Sequence, residues 1–400
     1  MTNRRNFLKH MALVGAAATT PISFALGQSE PLQMPNIEYP DGAFSVSHVE
    51  VRRPTIPPRK ITIPDVGEYK VLKGDFHIHS IFSDGVAMPR DRVLEAVDNG
   101  LDVISITDHI EYRPFFGGNH ISYGGNRNNV RLLDKDDDHN IAYDLAKPEA
   151  DRQNLILVRG TEITKRTMPP GDLNAIFLED ANPIAVAVDD WKKMLAIASD
   201  QGGFVFWVHP GAIMPGNGGL LPGEPMSFTN EHEDVYKKGH LHGVEIFNGS
   251  TYYPIVSQWC EERNLAMLAT SDVHATEWNT FGHQNPLRPI TLILAKERTH
   301  DSVRDAFFAR RTIGFAAGMV FGCREWLKKL FTACVTMTAR PGLLELTNKS
   351  DIPCFVQAGG TVRELPTQGQ LSIYQSVGVR KLTVHNWLVG MNQPLEIDLG

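Results

Sequence analysis

The chain reads as an α/β protein followed by a smaller all-β region, on three observations. From about residue 73, short apolar runs alternate with amphipathic segments, the order expected of β/α units. After Gly318 the helical periodicity gives way to strand-like runs separated by turn residues at short intervals. The length of 400 residues, with 42% hydrophobic and 21% charged residues, suits one large domain plus a smaller one, and argues against disorder or a polytopic membrane protein. A (β/α) barrel or a doubly wound sheet both fit the repeated strand–helix order.

Taken in order, the first 27 residues stand apart. Asn3-Arg4-Arg5-Asn6-Phe7-Leu8-Lys9 precedes a modest apolar run, Met11 to Leu26, too short and alanine-rich to span a bilayer. This resembles a twin-arginine signal, which implies export through the twin-arginine translocase to the periplasm or beyond, and no stable membrane span. Its removal takes Arg4, Arg5 and Lys9 from 39 basic residues, leaving 36 against 46 acidic ones and a net charge of −10. So acidic a chain is not expected to bind nucleic acid.

Residues 28–72 are punctuated by Pro31, Pro35, Pro40, Pro54, Pro57, Pro58 and Pro64, which predicts an extended arm. Strands are predicted at 73–79, 102–107, 155–163, 173–178, 203–208, 243–247, 266–270 and 290–295. Between them, 89–99 opens on Pro89, places Val93, Leu94 and Val97 on one face and stops at Gly100, as a helix would. Similar helices are expected at 139–147, 189–201, 254–263 and 300–311. Beyond residue 318, an amphipathic stretch from Arg324 to Thr332 leads into strands at 333–338, 343–347, 352–357, 370–374 and 380–385. The chain therefore divides into 1–27, 28–72, 73–318 and 319–400. Cys260, Cys323, Cys334 and Cys354 lack metal-ligand spacing; Cys334 and Cys354 could pair outside the cytoplasm, but buried thiols are the expected state.

The chemistry lies where predicted strands stop. Asp75-Phe76-His77-Ile78-His79-Ser80 sets two histidines two apart, a spacing that puts both side chains on one face of a strand. Asp84-Gly85 follows shortly. The next strand ends in Thr107-Asp108-His109, and later ones end in Thr161-Glu162, His209-Pro210 and Ser271-Asp272-Val273-His274. In β/α barrels such positions converge on one mouth. Each buried ionisable group would otherwise need a partner of its own, whereas divalent cations satisfy them together.

These motifs, DFHIHS with SDG, ITDH, GTEIT, the VHP step and SDVH, resemble in content and order those of the polymerase-and-histidinol-phosphatase (PHP) family of metal-dependent phosphoesterases, over roughly residues 73–318. The resemblance implies a distorted (β/α)7 barrel, here with a small sandwich-like C-terminal β domain, and two or three divalent ions, manganese, zinc or iron. It assigns His77, His79, Glu162 and Asp272 to a first ion, Glu162 and His209 to a second, and Asp84, His109 and His274 to a third. Where the family usually supplies another histidine soon after the glutamate, this chain offers Asp172, with Asn174 as the lesser choice. Glu162, Asp272 and His274 would organise the attacking water.

Clustered divalent ions activate water and clamp both the phosphoryl oxygens and the leaving group of an in-line displacement, so no protein nucleophile is needed. No GxSxG elbow is present. The exported branch of the family points to a phosphodiesterase acting on small anionic esters. A phosphomonoesterase or an amide or lactone hydrolase is the alternative on the same site, and a non-catalytic metal- or carbohydrate-binding module is the alternative from another class. Arg113, Lys165 and Arg166 follow ligand-bearing strand ends and are candidate phosphate contacts, in or near long polar loops at 110–139 and 211–242. His120, His232, His240, His242 and His283 are expected at the surface.

Overall fold

The sheet is organised around parallel strands that stop where polar residues begin. A computed structural model describes residues 47–48, 60–110, 138–163, 170–211, 226–282, 287–374 and 379–399. All of them fall within one compact unit, 33–400. In chain order these residues form β1 (Ser47–His48), β2 (Lys70–Asp75), α1 (Pro89–Asp98), β3 (Val103–Ile106), α2 (Ile141–Arg152), β4 (Ile156–Ile163), β5 (Leu173–Ile176), α3 (Asn182–Val186) and α4 (Trp191–Asp200). There follow β6 (Phe204–Trp207), α5 (Asn230–Lys237), β7 (Gly243–Asn248), β8 (Thr251–Tyr252), α6 (Ile255–Arg263), β9 (Ala266–Thr270), β10 (Ile290–Ala295), α7 (His300–Phe308), β11 (Thr312–Ala316) and β12 (Met319–Phe321).

β2, β3 and β4 run parallel, as do β6, β7 and β9; β5 is antiparallel to both β4 and β6, and β10 is antiparallel to β2. The two ends of this path meet. Thr291 on β10 receives the Ala269 N–H of β9 at 3.1 Å and donates its hydroxyl to the Ala269 carbonyl at 2.9 Å. Helices lie against strands whose residues are buried throughout: β3, β5, β6, β9 and β10 are apolar runs without alternation, as expected of a sheet covered on both faces.

The sequence places the first strand at 73–79. It runs instead from Lys70 to Asp75, and His77 and His79 lie beyond its end on a segment held by one bridge between Ile78 and Val273. The strand stops because side chains take over its hydrogen bonds: Asp75 Oδ1 faces the His77 N–H at 3.4 Å, and the Thr107 hydroxyl accepts from the Ile78 N–H at 3.2 Å. Its early start, with the burial of Ile61 and Val66, also draws the end of the predicted arm into the body. The buried face of α1 is Arg92, Val93 and Ala96, turned from the predicted Val93, Leu94 and Val97 toward the arginine.

The C-terminal stretch is not made of strands alone. It contains α8 (Arg324–Cys334), then β13 (Val335–Arg340), β14 (Leu343–Asn348), β15 (Cys354–Gln357), β16 (Arg363–Leu365), β17 (Gln370–Tyr374), β18 (Lys381–Gly390) and β19 (Gln393–Asp398). β13, β14 and β17 form a separate three-stranded sheet, whereas β18 pairs in parallel with β12, at Val320↔Trp387 and Phe321↔Leu388. The hairpin of β11 and β12 therefore carries the main sheet across Gly318. One apolar cluster runs from Val93 and Ile104 through Leu292 to Phe331, Cys354 and Trp387. Cys260, Cys334 and Cys354 are buried thiols and Cys323 is exposed; burial pushes Cys334 up to about 12. Among the described residues no helix is long and apolar enough to cross a membrane.

Candidate metal centre

The nine side chains predicted as metal ligands come together. Each arrives by a local backbone device. His79 donates its N–H to the Val273 carbonyl and Asp272 donates its own to that of His77, so the two segments brace each other. His109 lies beside Glu162 because the N–H groups of Ile110 and Glu162 bond the carbonyls of Glu162 and Asp108. Asp172 precedes β5, and its carbonyl accepts from Val208, which sets it next to His209. Asp84 is turned inward by a close approach at Gly85, where a Cβ would stand 2.6 Å from both the carbonyl carbon and the oxygen of His79. His209 and Asp272 take left-handed backbone angles, φ 28° and 51°, rare for residues with side chains and a mark of sites where position outranks comfort.

Four groups of three or four donor atoms each lie within 4.8 Å of one another: His79, Asp84, His109 and His274; His77, His79 and Glu162; His77, His209 and Asp272; and Glu162, Asp172 and His209. Glu162 is the hub. Its Oε2 lies 3.2 Å from His77 Nε2, 3.3 Å from His79 Nε2 and 3.3 Å from His109 Nδ1, while Oε1 faces His209 Nε2 at 3.3 Å. Asp272 Oδ1 is 3.0 Å from His79 Nε2 and 3.2 Å from His77 Nε2, and Asp84 Oδ1 is 3.0 Å from His274 Nε2. Asp172 Oδ2 is 4.0 Å from His209 Nε2. Asn174 turns away, its amide donating to the Phe76 carbonyl and the Thr107 hydroxyl.

The imidazoles present lone pairs to this space. His77 Nδ1–H donates to Glu245 Oε1 at 2.8 Å, His79 Nδ1 faces the Ser83 hydroxyl at 3.3 Å, and His274 Nδ1–H donates to the Asp272 carbonyl at 2.9 Å. In each ring, Nε2 is thereby left as the acceptor, the arrangement that outer partners impose on metal-binding histidines. Buried Glu162 Oε1 and Asp272 Oδ1 have no hydrogen-bond partner, although imidazole nitrogens stand within 3.3 Å. Such atoms, crowded but not aimed at each other, fit divalent cations placed between them.

Electrostatics agree. Burial opposes the charge on Glu162 and Asp272, yet neighbouring imidazoles hold both well below the usual carboxylate range. Burial also lowers His109 and His209, but the carboxylates, Glu162 foremost, push both up to about 9. His79 is pulled down to about 4 by burial and by His274. Buried ionised carboxylates that draw protons onto their neighbours form a cation site. It opens on one side: the His77, His79 and Glu162 side chains are at most 1% exposed, whereas Asp272 is 19% and His274 38% exposed.

Three further participants were not among the predicted site residues. Glu245, buried within β7, accepts from His77, the Thr270 hydroxyl, the Asn248 amide and the His209 N–H. A carboxylate inside an apolar strand was the available signal. Asp108 of the ITDH motif accepts from Ser80 and Ser83 and braces the His79 loop. Arg92 is the third. Of the histidines expected at the surface, His232 is buried, stacked on Trp207 at 3.8 Å with Nε2–H donating to the Pro170 carbonyl at 2.6 Å; His240 and His242 are half-buried. The partners supplied by a tertiary aromatic and a loop carbonyl outweigh its polarity. Residues 1–27, most of 28–59, Arg113, Lys165, Arg166, His120 and His283 lie outside the described residues.

No family model and no curated protein matches the chain. Among solved structures it is similar to a two-domain protein from Bacteroides vulgatus described as containing a predicted PHP-like metal-dependent phosphoesterase, with 32% identity and a TM-score of 0.73, over 88% of this chain and 99% of that one. Fainter likenesses are to a candidate metal-dependent phosphoesterase from Bifidobacterium adolescentis (16% identity, TM-score 0.38, 59% of this chain and 96% of that one) and an amidohydrolase from Chromobacterium violaceum (14%, 0.34, 52% and 90%).

Proposed function

The chain belongs to the PHP-like metal-dependent phosphoesterases, and on that premise we propose that it is an exported hydrolase of small organophosphate diesters. The observation that carries the reading is Glu162, whose two oxygens face separate sets of imidazoles as a carboxylate between two cations does. His77, His79, Glu162 and Asp272 would hold one divalent ion; Glu162, His209 and Asp172 a second; Asp84, His109 and His274 a third, the ions being manganese, zinc or iron. Bound there, they supply Lewis acidity that activates water at neutral pH and offsets phosphoryl charge.

The protein's own part is placement. Glu245 and the Asp272 carbonyl fix the tautomers of His77 and His274, so these rings need no reorientation when a cation arrives. The dry floor of His77, His79 and Glu162 keeps bulk water out, and the exposed edge of Asp272 and His274 is where an ester would enter. No thiol competes as nucleophile near the cluster, since Cys260 and Cys354 are buried and raised by burial. Arg113, Lys165 and Arg166, following β3 and β4 in sequence, would contact the non-bridging oxygens that share the negative charge of the ester. The strand order and the Thr291 seam support a distorted (β/α)7 barrel, with 319–400 appended to it as a β domain. The Arg4-Arg5 motif supports export by the twin-arginine translocase.

A panel of phosphodiesters, phosphomonoesters and carboxyl esters, each offered with Mn²⁺, Zn²⁺ or Fe²⁺ returned to chelated protein, tests the reading. The fastest turnover is expected on a diester and only with metal. Full activity after exhaustive chelation, or none on any phosphate ester with any metal, overturns it, and faster carboxyl-ester cleavage reassigns the site to acyl chemistry.

A further inference from the structure

Arg92 is the most completely used cation among the described residues. It comes from α1, after the nearest predicted ligand in the chain, Asp84, and its side chain is fully buried. All five guanidinium N–H groups are spent. Nε donates to the His79 carbonyl at 2.8 Å; Nη1 to Glu95 Oε2 and the Ala275 carbonyl, both at 2.8 Å; Nη2 to the carbonyls of Val273 at 3.2 Å and His274 at 2.8 Å. Four of those acceptors are backbone oxygens of the two segments that carry His79 and His274. Glu95 continues the tie, because its Oε1 accepts from the Glu277 N–H at 2.9 Å.

The braces on the two histidine segments are unequal. Asp272 keeps its backbone bond to His77, and Ser271 bonds Asp75 through both N–H and hydroxyl, whatever happens at Arg92. Beyond Val273, the guanidinium holds the Ala275 carbonyl and shares the His274 carbonyl with the Val86 N–H at 2.9 Å, while His274 is also the ligand open to solvent. A rigid planar fork with five donors can serve all of these acceptors; a lysine ammonium, with three donors, cannot.

We infer that Arg92 is a positioning residue that sets His274, and through it the cation site of Asp84, His109 and His274, while the sites around Glu162, which it touches through the His79 and Val273 carbonyls, are kept by the backbone bonds of His79 to Val273 and of Asp272 to His77. The inference rests on the metal-centre reading and is independent of the ester chosen as substrate. It separates the cluster into a deep part, kept by strand ends, and an outer part braced in addition from a helix.

The test is a titration of metal-free full-length protein with Mn²⁺, followed by electron paramagnetic resonance, for the wild type, Arg92→Ala and Arg92→Lys. Arg92→Ala should lose about one ion per chain, or bind that ion about 10- to 100-fold more weakly, with the remaining ions unchanged, and added guanidinium should restore the lost phase. Arg92→Lys should show the same selective loss without rescue, and it serves as the test should Arg92→Ala be insoluble. Wild-type stoichiometry and affinity in the variants overturns the inference, as does a uniform weakening of every ion, which would make Arg92 a general prop. Diester turnover is read separately: selective Mn²⁺ loss in a protein that cleaves no diester upholds Arg92 and removes the substrate assignment instead.

Discussion

Glu162 is approached by four imidazoles, and its replacement should be felt in metal content before anything else. Glu162→Ala and His77→Ala are each expected to lose bound metal and at least about 100-fold in kcat, because a missing ligand both lowers affinity and misplaces the attacking water. Unchanged metal content and rate in Glu162→Ala would remove it from the bridging position. Asp172 carries a sharper expectation. An oxygen donor where the family pattern would have a nitrogen favours harder ions, so Asp172→Ala should lose about one ion per chain, whereas Asp172→His should keep it and prefer zinc. Wild-type stoichiometry in Asp172→Ala would leave the second site completed by water. Most of the ligands were legible because a polar residue follows the end of an apolar strand, and Asp84 and Asp172 because the family motifs point to them. Glu245 and Arg92 were not, since their value lies in acceptors and donors contributed by segments far away in sequence, such as the Ala275 carbonyl that faces Arg92.

At the scale of elements, α5 is tied to the site's rim through His232, whose Nδ1 accepts from the Thr229 N–H at 3.2 Å while Nε2–H reaches Pro170, two residues before Asp172. Burial pulls this imidazole down to about 4 from an ordinary 6.5. The unfolded chain therefore takes up a proton first as pH falls, so the contribution of His232 to stability is complete above about pH 6.5 and is lost between there and about pH 4. At most about 3 kcal/mol is at stake. Thermal melts across that window should fall more steeply for the wild type than for His232→Gln; identical slopes would mean that the ring is solvated. The strands with unbroken apolar runs were readable, because burial on both faces leaves no alternation to misjudge. The hairpin of β11 and β12 was passed over, since Gly314, Gly318 and Gly322 interrupt the pattern. Gly314 answers to packing: a Cβ there would stand 3.1 Å from that of Ala269.

For the whole molecule, the pairing of Val320 and Phe321 with Trp387 and Leu388 makes the C-terminal stretch a continuation of the main sheet. Removing residues 319–400 should leave an aggregating protein, since the uncovered strand edge and the part of the apolar cluster left behind, Leu292, Ile313 and Phe315 among it, would face water. A soluble truncated protein with full metal content and no turnover would place a substrate contact in the removed part instead. Trp387→Ala in the full chain should cost about 3–5 kcal/mol, read in denaturant melts, without altering metal stoichiometry. Sequence periodicity marks the C-terminal strands one by one and is silent on where they attach, because a sheet edge is chosen by partners more than 60 residues away, such as Phe321 and Leu388.

The bond from Ser271 to Asp75 spans 196 residues, and the seam at Thr291 closes later still. During synthesis, His77 and His79 emerge long before Asp272 and His274 exist to face them. A cation captured early would meet two imidazoles and little else, so tight binding has to await the ninth strand. Assembly of the centre is thus a late event with high contact order, expected to be slow, and a chain stalled before residue 272 would have neither a complete centre nor a closed sheet.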